Sequence, residues 1–183
     1  PVKNPLLLVQ AFIQLVQSKA PGTDSMRLAM VGEGPLHEQI AQHIADAGIT
    51  DRVWLPGVRI DIPDLLRVMD CFVLPSLSEA TSCTLQEAMA TGLPIIATDV
   101  GGNAALLDHQ RYGALVPSDN VAALIEALKR QYANRLQAKN PAARAAIIEH
   151  YGLDAVLARY AAVFAGAAAS PSTHQSCTVE DLT

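Results

Sequence analysis

Apolar residues recur at helical spacing over residues 6–16, give way to a polar loop at 21–25, and resume as an unbroken apolar run at 26–31. The first pattern predicts an amphipathic helix and the second a buried strand. The turn Gly32-Glu33-Gly34-Pro35 puts a proline at the expected first helical position, ahead of a helix over 36–47 that stops at Gly48. A short strand at 53–55 ends in Pro56-Gly57, a short helix covers 62–69, and the next strand covers 71–74. A helix at 84–90, a strand at 95–98, a helical turn from the Gly101-Gly102 loop to Leu107 and a strand at 113–116 continue the series. Helices are expected over 121–135, 141–150 and 153–165.

Strands thus alternate with helices of about ten residues, the signature of a parallel sheet with helices on both faces and right-handed crossovers. The expected fold class is α/β, Rossmann-like. Half the residues are hydrophobic but only 4% are aromatic, so the core must be aliphatic, as in strands buried on both faces. The Ser/Thr-rich stretch 170–183 has little to bury and reads as a disordered tail beyond one domain at 1–168.

Composition narrows the function. The net charge is -5, and Lys and Arg are scattered singly, without a basic stripe interleaved with aromatics. Nucleic-acid binding and a polybasic membrane patch are therefore not expected. No apolar run reaches the ~18 residues of a membrane span. Three widely spaced cysteines, Cys71, Cys83 and Cys177, make neither a disulfide framework nor a zinc pattern, which suits a reducing compartment. The five histidines do not cluster, so no metal is expected. The opening, Pro1-Val2-Lys3-Asn4-Pro5, runs straight into a helix and reads as part of a longer chain.

The candidate chemistry lies between the strand at 71–74 and the helix at 84–90, where open parallel sheets collect ligands. Glu79 is either a solvated loop glutamate or an acceptor for sugar hydroxyls that also stabilises positive charge on a sugar ring. Thr84 and Glu87 form a Thr-x-x-Glu capping box, and Glu87 could equally accept from ribose hydroxyls, since a carboxylate has about four lone-pair sites. The helix start at Thr81, Ser82, Cys83 and Thr84 offers amides and a dipole to a phosphate, or is simply capped by Ser82 or Thr84. Cys83 reads as a small packing residue, Lys3 as a solvated charge, and the turns at Gly32 and Gly101-Gly102 as connections.

Taken in order, Val-Lys-Asn-Pro, Met-Val-Gly-Glu-Gly-Pro, Leu-Pro-Gly, Asp-Cys-Phe-Val-Leu-Pro-Ser and Ser-Glu…Glu-Ala-Met-Ala-Thr-Gly-Leu-Pro-Ile-Ile-Ala-Thr-Asp-Val-Gly-Gly-Asn resemble the C-terminal half of retaining enzymes of the glycosyl transferases group 1 family. The match runs from about Lys3 to about Tyr160 and looks closest to bacterial exopolysaccharide-type members. In that family two Rossmann-like domains face each other, and the C-terminal one binds the nucleotide-sugar donor. The resemblance implies that Glu79 lies by the donor sugar as the catalytic residue and Glu87 binds the ribose. It implies that Ala80, Thr81, Ser82, Cys83 and Thr84 offer amides to the sugar and diphosphate, that Lys3 neutralises the diphosphate, and that Gly57 and Arg59 border the base, with Gly32 also on the donor side. The helix at 153–165 would cross back toward the N-terminal domain.

The resemblance further implies a UDP- or GDP-type donor with no cofactor, a glycan or lipid-linked acceptor, and a cytoplasmic protein held peripherally at the inner membrane through an N-terminal acceptor domain. That domain, the first strand and an Arg partner of Lys3 would lie upstream of residue 1. Ala80 and Thr81 stand where the family has Gly and an aromatic, and Ala105 where a glutamate is usual, so weak donor binding and no turnover by this chain alone are expected. An epimerase or phosphorylase on the same plan, or a non-catalytic α/β module, remain the rival readings.

Overall fold

The apolar runs become five short strands and the periodic segments eight α-helices in the computed structural model, which describes residues 2–134 and 139–169. Helix α1 (Pro5–Gln17) leads to β1 (Leu28–Val31), α2 (His37–Asp46) and β2 (Val53–Gly57). Helix α3 (Ile62–Val68) leads to β3 (Phe72–Leu74), α4 (Cys83–Thr91) and β4 (Ile95–Thr98). Next come α5 (Asn103–Leu106), β5 (Ala114–Val116), α6 (Val121–Ala133), α7 (Pro141–Tyr151) and α8 (Leu153–Ala169). The expected tail at 170–183 lies outside the described residues, as does the expected end of the helix at Arg135.

Every strand pair is parallel, as expected. The single sheet is instead two: β1 pairs with β2, and β3, β4 and β5 form a separate sheet in that order. In the larger sheet successive side chains alternate between faces. Leu74, Ile95 and Ala97 pack with Leu85 and Met89 of α4, whereas Ile96 and Val116 pack with Leu15 of α1 and Leu124 of α6. Both faces are covered, which is why these strands read as unbroken apolar runs.

Helix α1 holds the two sheets to one core. Leu8 and Leu15 pack against the larger sheet, while Val9 and Phe12 pack with Ile40 and Ile44 of α2 above β1 and β2. Each fully buried large aliphatic contributes roughly 1.5–3 kcal/mol, so α1 supplies by burial the connection that no ladder hydrogen bonds make. Between β1 and β3 lies a cavity of about 900 Å³, walled by residues 25–31 on one side and 69–75 on the other.

Two local expectations need correction. Pro35 lies outside α2, which begins at His37, so the proline sits in the turn rather than at the first helical position. The Pro56-Gly57 pair does not end its strand; both residues belong to β2, because Gly57 accepts from the Gly32 amide at 2.8 Å and stays in the ladder.

The chain divides into two compact units, the first ending at Ile147 and the second starting at Ile148. In the second, the rings of Tyr160 and Phe164 stack with centroids 6.5 Å apart, and Arg159 donates to the His150 carbonyl.

Candidate functional site

The loop that follows β3 is fixed from three directions. At the carboxyl end of β4, Thr98 is fully buried and its hydroxyl donates to the Ser76 carbonyl at 2.6 Å. Asn103, also fully buried, donates through Nδ2 to the Thr98 carbonyl at 3.0 Å. The Gly102 amide donates to the Ala80 carbonyl at 3.1 Å, and the Leu77 amide donates to the Val2 carbonyl at 2.8 Å. That last bond brings the start of the chain, and with it Lys3, to the loop.

Glu79 is the product of this scaffold. Its side chain is only 8% exposed, and Lys3 Nζ lies 2.6 Å from Oε1. Ser76 Oγ donates to the same oxygen, also at 2.6 Å. Among the described residues Oε2 has no partner and remains an open acceptor. Burial by itself would push the Glu79 carboxyl up, but the bonds from Lys3 and Ser76, with the ammonium charge, outweigh it and hold the group below the ordinary glutamate value of 4.5. A carboxyl ionised more readily folded than unfolded stabilises the fold fully above that ordinary value, and the contribution is lost as pH falls through the lowered one. In Lys3→Met the burial effect loses its main opponent, so the Glu79 titration, followed by carbon NMR of its carboxyl, is expected to move upward; an unmoved titration would show that Lys3 does not set it.

Helix α4 begins beside this group. Ser82, not Thr84, is the N-cap: its hydroxyl accepts from the Leu85 amide at 3.3 Å. The Thr84–Glu87 capping box therefore does not form. The helix starts one residue earlier than its pattern suggests, which puts Leu85 where the box would need the glutamate. Glu87 is left exposed, with no partner for its carboxylate among the described residues. The Leu85 amide is satisfied, while those of Cys83 and Thr84 have no helical acceptor. Lys3, Thr84 and Glu87 are among the residues that line the cavity between β1 and β3, and Glu79 is bonded to Lys3.

Ala80 and Thr81 are exposed, as is Cys83, which is therefore not a packing residue. Ala80 does not adopt a positive φ, so its methyl group costs nothing in backbone strain. The tight contacts fall instead on Gly101 and Gly102, a pair that reads in the sequence as a connection. A Cβ on Gly101 would stand 1.5 Å from the Glu79 carbonyl oxygen, and one on Gly102 would stand 2.4 Å from that of Ala80. Ser76 and Thr98 were likewise not singled out as positioning residues; the only sequence signal was polar residues at the ends of two apolar strands.

Gly32 and Gly57 meet through the amide-to-carbonyl bond already described. Arg59 pairs with Asp61 at 2.6 Å and lies 5.9 Å from the Trp54 ring centre. Among the described residues no hydrogen bond, ion pair or ring contact links this second group to the pair Lys3–Glu79. Among the described residues no three or more His, Cys, Asp or Glu side chains gather as a metal site, and no helix is long and apolar enough to cross a membrane.

A parallel α/β domain of this kind presents acids and a helix start at its strand ends, where open sheets collect ligands. A family model described as glycosyl transferases group 1 matches residues 1–134, and the chain belongs to that family. It is 34% identical over 131 residues to the Escherichia coli UDP-Gal:alpha-D-GlcNAc-diphosphoundecaprenol alpha-1,3-galactosyltransferase, a match that covers 71% of this chain and 33% of that one. Its fold is similar to that of a glycosyltransferase from Rickettsia africae ESF-5, with a TM-score of 0.82 at 22% identity, covering 93% of this chain and 46% of that chain. It is also similar to Anabaena Alr3699/HepE, solved in complex with UDP, with a TM-score of 0.78 at 24% identity over 91% of this chain and 46% of that one. The chain thus spans about a third of the first of these proteins and less than half of the other two.

Proposed function

We propose that this chain is the donor half of a retaining glycosyltransferase, and that Lys3, Glu79, the start of α4 and Glu87 form its nucleotide-sugar site. The supporting observation is the arrangement of Glu79: both of its hydrogen bonds fall on Oε1, which leaves Oε2 free beside an exposed ammonium. Oε2 accepts from sugar hydroxyls and faces the positive charge that builds on the sugar ring as the bond to the diphosphate breaks. Lys3 and the Cys83 and Thr84 amides stabilise the departing diphosphate, charge meeting charge in a preorganised site. Glu87 accepts from the ribose hydroxyls, and Gly32, Gly57 and Arg59 border the base. Residues 1–168 serve as the donor domain.

The sugar is a hexose carried on a UDP- or GDP-type donor, and the acceptor is a glycan or lipid-linked glycan in polysaccharide synthesis. The relative from Escherichia coli supports both, since its name carries UDP-Gal and a diphosphoundecaprenol acceptor. The similarity to the Anabaena protein, solved with UDP, supports the uridine donor. The acceptor is bound by a further domain, which also holds the protein at the cytoplasmic face of a membrane. The proteins described above are named as glycosyltransferases or solved with UDP, which favours transfer over the epimerase, phosphorylase and binding-module readings.

Calorimetry of the full-length protein with UDP, GDP and ADP tests the site. One nucleotide is expected to bind, and Glu87→Ala to weaken it about tenfold to a hundredfold, the equivalent of one hydrogen bond to a charged group. Silence with all three, or binding untouched by Glu87→Ala, would remove the nucleotide from this site.

A further inference from the structure

We propose that the turn at Ser118-Asp119 is a bracket that holds Lys3 on Glu79. Asp119 is its positioning residue and acts through Asn4, the neighbour of Lys3.

Three observations carry this. First, Asn4 and Asp119 both adopt left-handed backbone, with φ of 45° and 54°, and Asn4 Nδ2 donates to Asp119 Oδ1 at 3.3 Å. Residues other than glycine seldom adopt this region, and Asn and Asp do so more readily than the rest. These two lie 115 positions apart and are joined through their side chains, so each supports the other's uncommon backbone. Helix capping does not account for the pair. Asn4 is the N-cap of α1, yet its side chain makes no cap bond. Asn120, at the start of α6, does cap: its Oδ1 accepts from the Ala123 amide at 2.9 Å.

Second, the turn is built on packed elements. It follows β5, whose last residue, Val116, is buried and packs with Leu7 and Leu8 of α1 and Leu124 of α6. The Val116 carbonyl accepts from the Asp99 amide at 2.8 Å. Third, the turn meets both arms of the site. Asp119 holds Asn4, and Ser118 Oγ donates to the Ser76 carbonyl at 3.5 Å, the same carbonyl that accepts from Thr98. Ser76 is in turn the second donor to Glu79. Lys3 is thus fixed on either side, since Val2 accepts from Leu77 and Asn4 bonds Asp119. This matters because a lysine ammonium rides on a long flexible stem, and the Lys3 side chain is more than half exposed. Pinning the backbone at both neighbours narrows the reach of the ammonium to its contact with Glu79. The consequence for turnover rests on the function proposed above; the geometry at Lys3 does not.

Glycine adopts left-handed backbone without steric cost, so Asp119→Gly removes the carboxylate without adding strain, and Asn4→Gly removes the donor in the same way. In both variants the Glu79 carboxyl, followed by carbon NMR in the 183-residue chain without nucleotide, is expected to titrate upward, in the direction of Lys3→Met and by less. The sign is diagnostic: loss of a carboxylate acting by charge alone would move Glu79 downward, because like charges disfavour ionisation. Asp119→Asn keeps an acceptor and tolerates left-handed backbone, so the titration is expected to stay at or just below its unaltered position. The double variant, Asn4→Gly with Asp119→Gly, should match the larger single one, because partners in one bond are not additive. An unmoved or lowered titration in Asp119→Gly, an equal rise in Asp119→Asn, or full additivity in the double variant would overturn the proposal. In the full-length protein, Asp119→Gly is expected to lower turnover about tenfold to a hundredfold, the scale of a misplacement of about 1 Å. A raised titration with unaltered turnover would leave the bracket standing and remove Lys3 from the donor chemistry, so the two readings fail separately.

Discussion

Glu79→Gln in the full-length protein is expected to lower turnover about 10²–10³-fold, the loss typical of removing one preorganised electrostatic stabiliser. Glutamine keeps the size of the side chain and one oxygen that can accept from Ser76, so the loop stays in place. What disappears is the negative charge on the free oxygen, which in the proposed site opposes the positive charge that develops on the sugar ring. Nucleotide affinity should change little, because Lys3 is 59% exposed and bonds an anion as readily without its glutamate. Stability should also change little, about 0–1 kcal/mol, since one partner of the pair is open to solvent. Steady-state kinetics with calorimetry separates these effects. Turnover at the level of the unaltered protein would show that Glu79 is structural.

Gly101→Ala is expected to destabilise the chain by about 1–3 kcal/mol, the usual range for overpacking, which for a chain of this size lowers Tm by about 2–4 °C per kcal/mol. The new methyl would fall 1.5 Å from the Glu79 carbonyl oxygen, and the obstacle is backbone, so no rotamer change relieves it. Its φ of 51° adds to the difficulty for any side chain. Either the 101–102 turn or the 79–80 loop must move, and moving the latter separates Glu79 from Lys3. A second signature follows: the Glu79 carboxyl, no longer held by Lys3, should titrate higher than in the unaltered chain. Gly34→Ala is the control, since nothing lies within 4 Å of a Cβ there and a surface change of that kind stays within about 0.5 kcal/mol. Equal Tm values for the two variants would mean that the glycine pair does not position the loop.

The helices were legible because their apolar positions face one side only. Helix α1 was expected at 6–16 and runs Pro5–Gln17. Strand β4 was expected at 95–98 and is Ile95–Thr98, since both of its faces are buried and the apolar run has no gap. The cap of α4 was misread because Ser82 and Thr84 both suit an N-cap and spacing does not choose between them; the Ser82 hydroxyl is the one that reaches the Leu85 amide. The division into two sheets had no local signal at all, because a strand's partners are not written in its own residues.

Taken alone, the order of apolar runs, turns and acids determined the α/β class, the family and the identity of Glu79 and Glu87 as the residues to watch, since periodicity and motif order are properties of the chain itself. Only the tertiary structure decided that Glu79 is held through one oxygen by Lys3 and Ser76, residues 76 and 3 positions away. It also decided that Glu87 is free of the helix cap, and that the Gly101-Gly102 turn is the surface on which the Glu79 loop rests. These depend on which segments fold against each other, and contacts between distant segments are set by packing of the whole core rather than by local spacing.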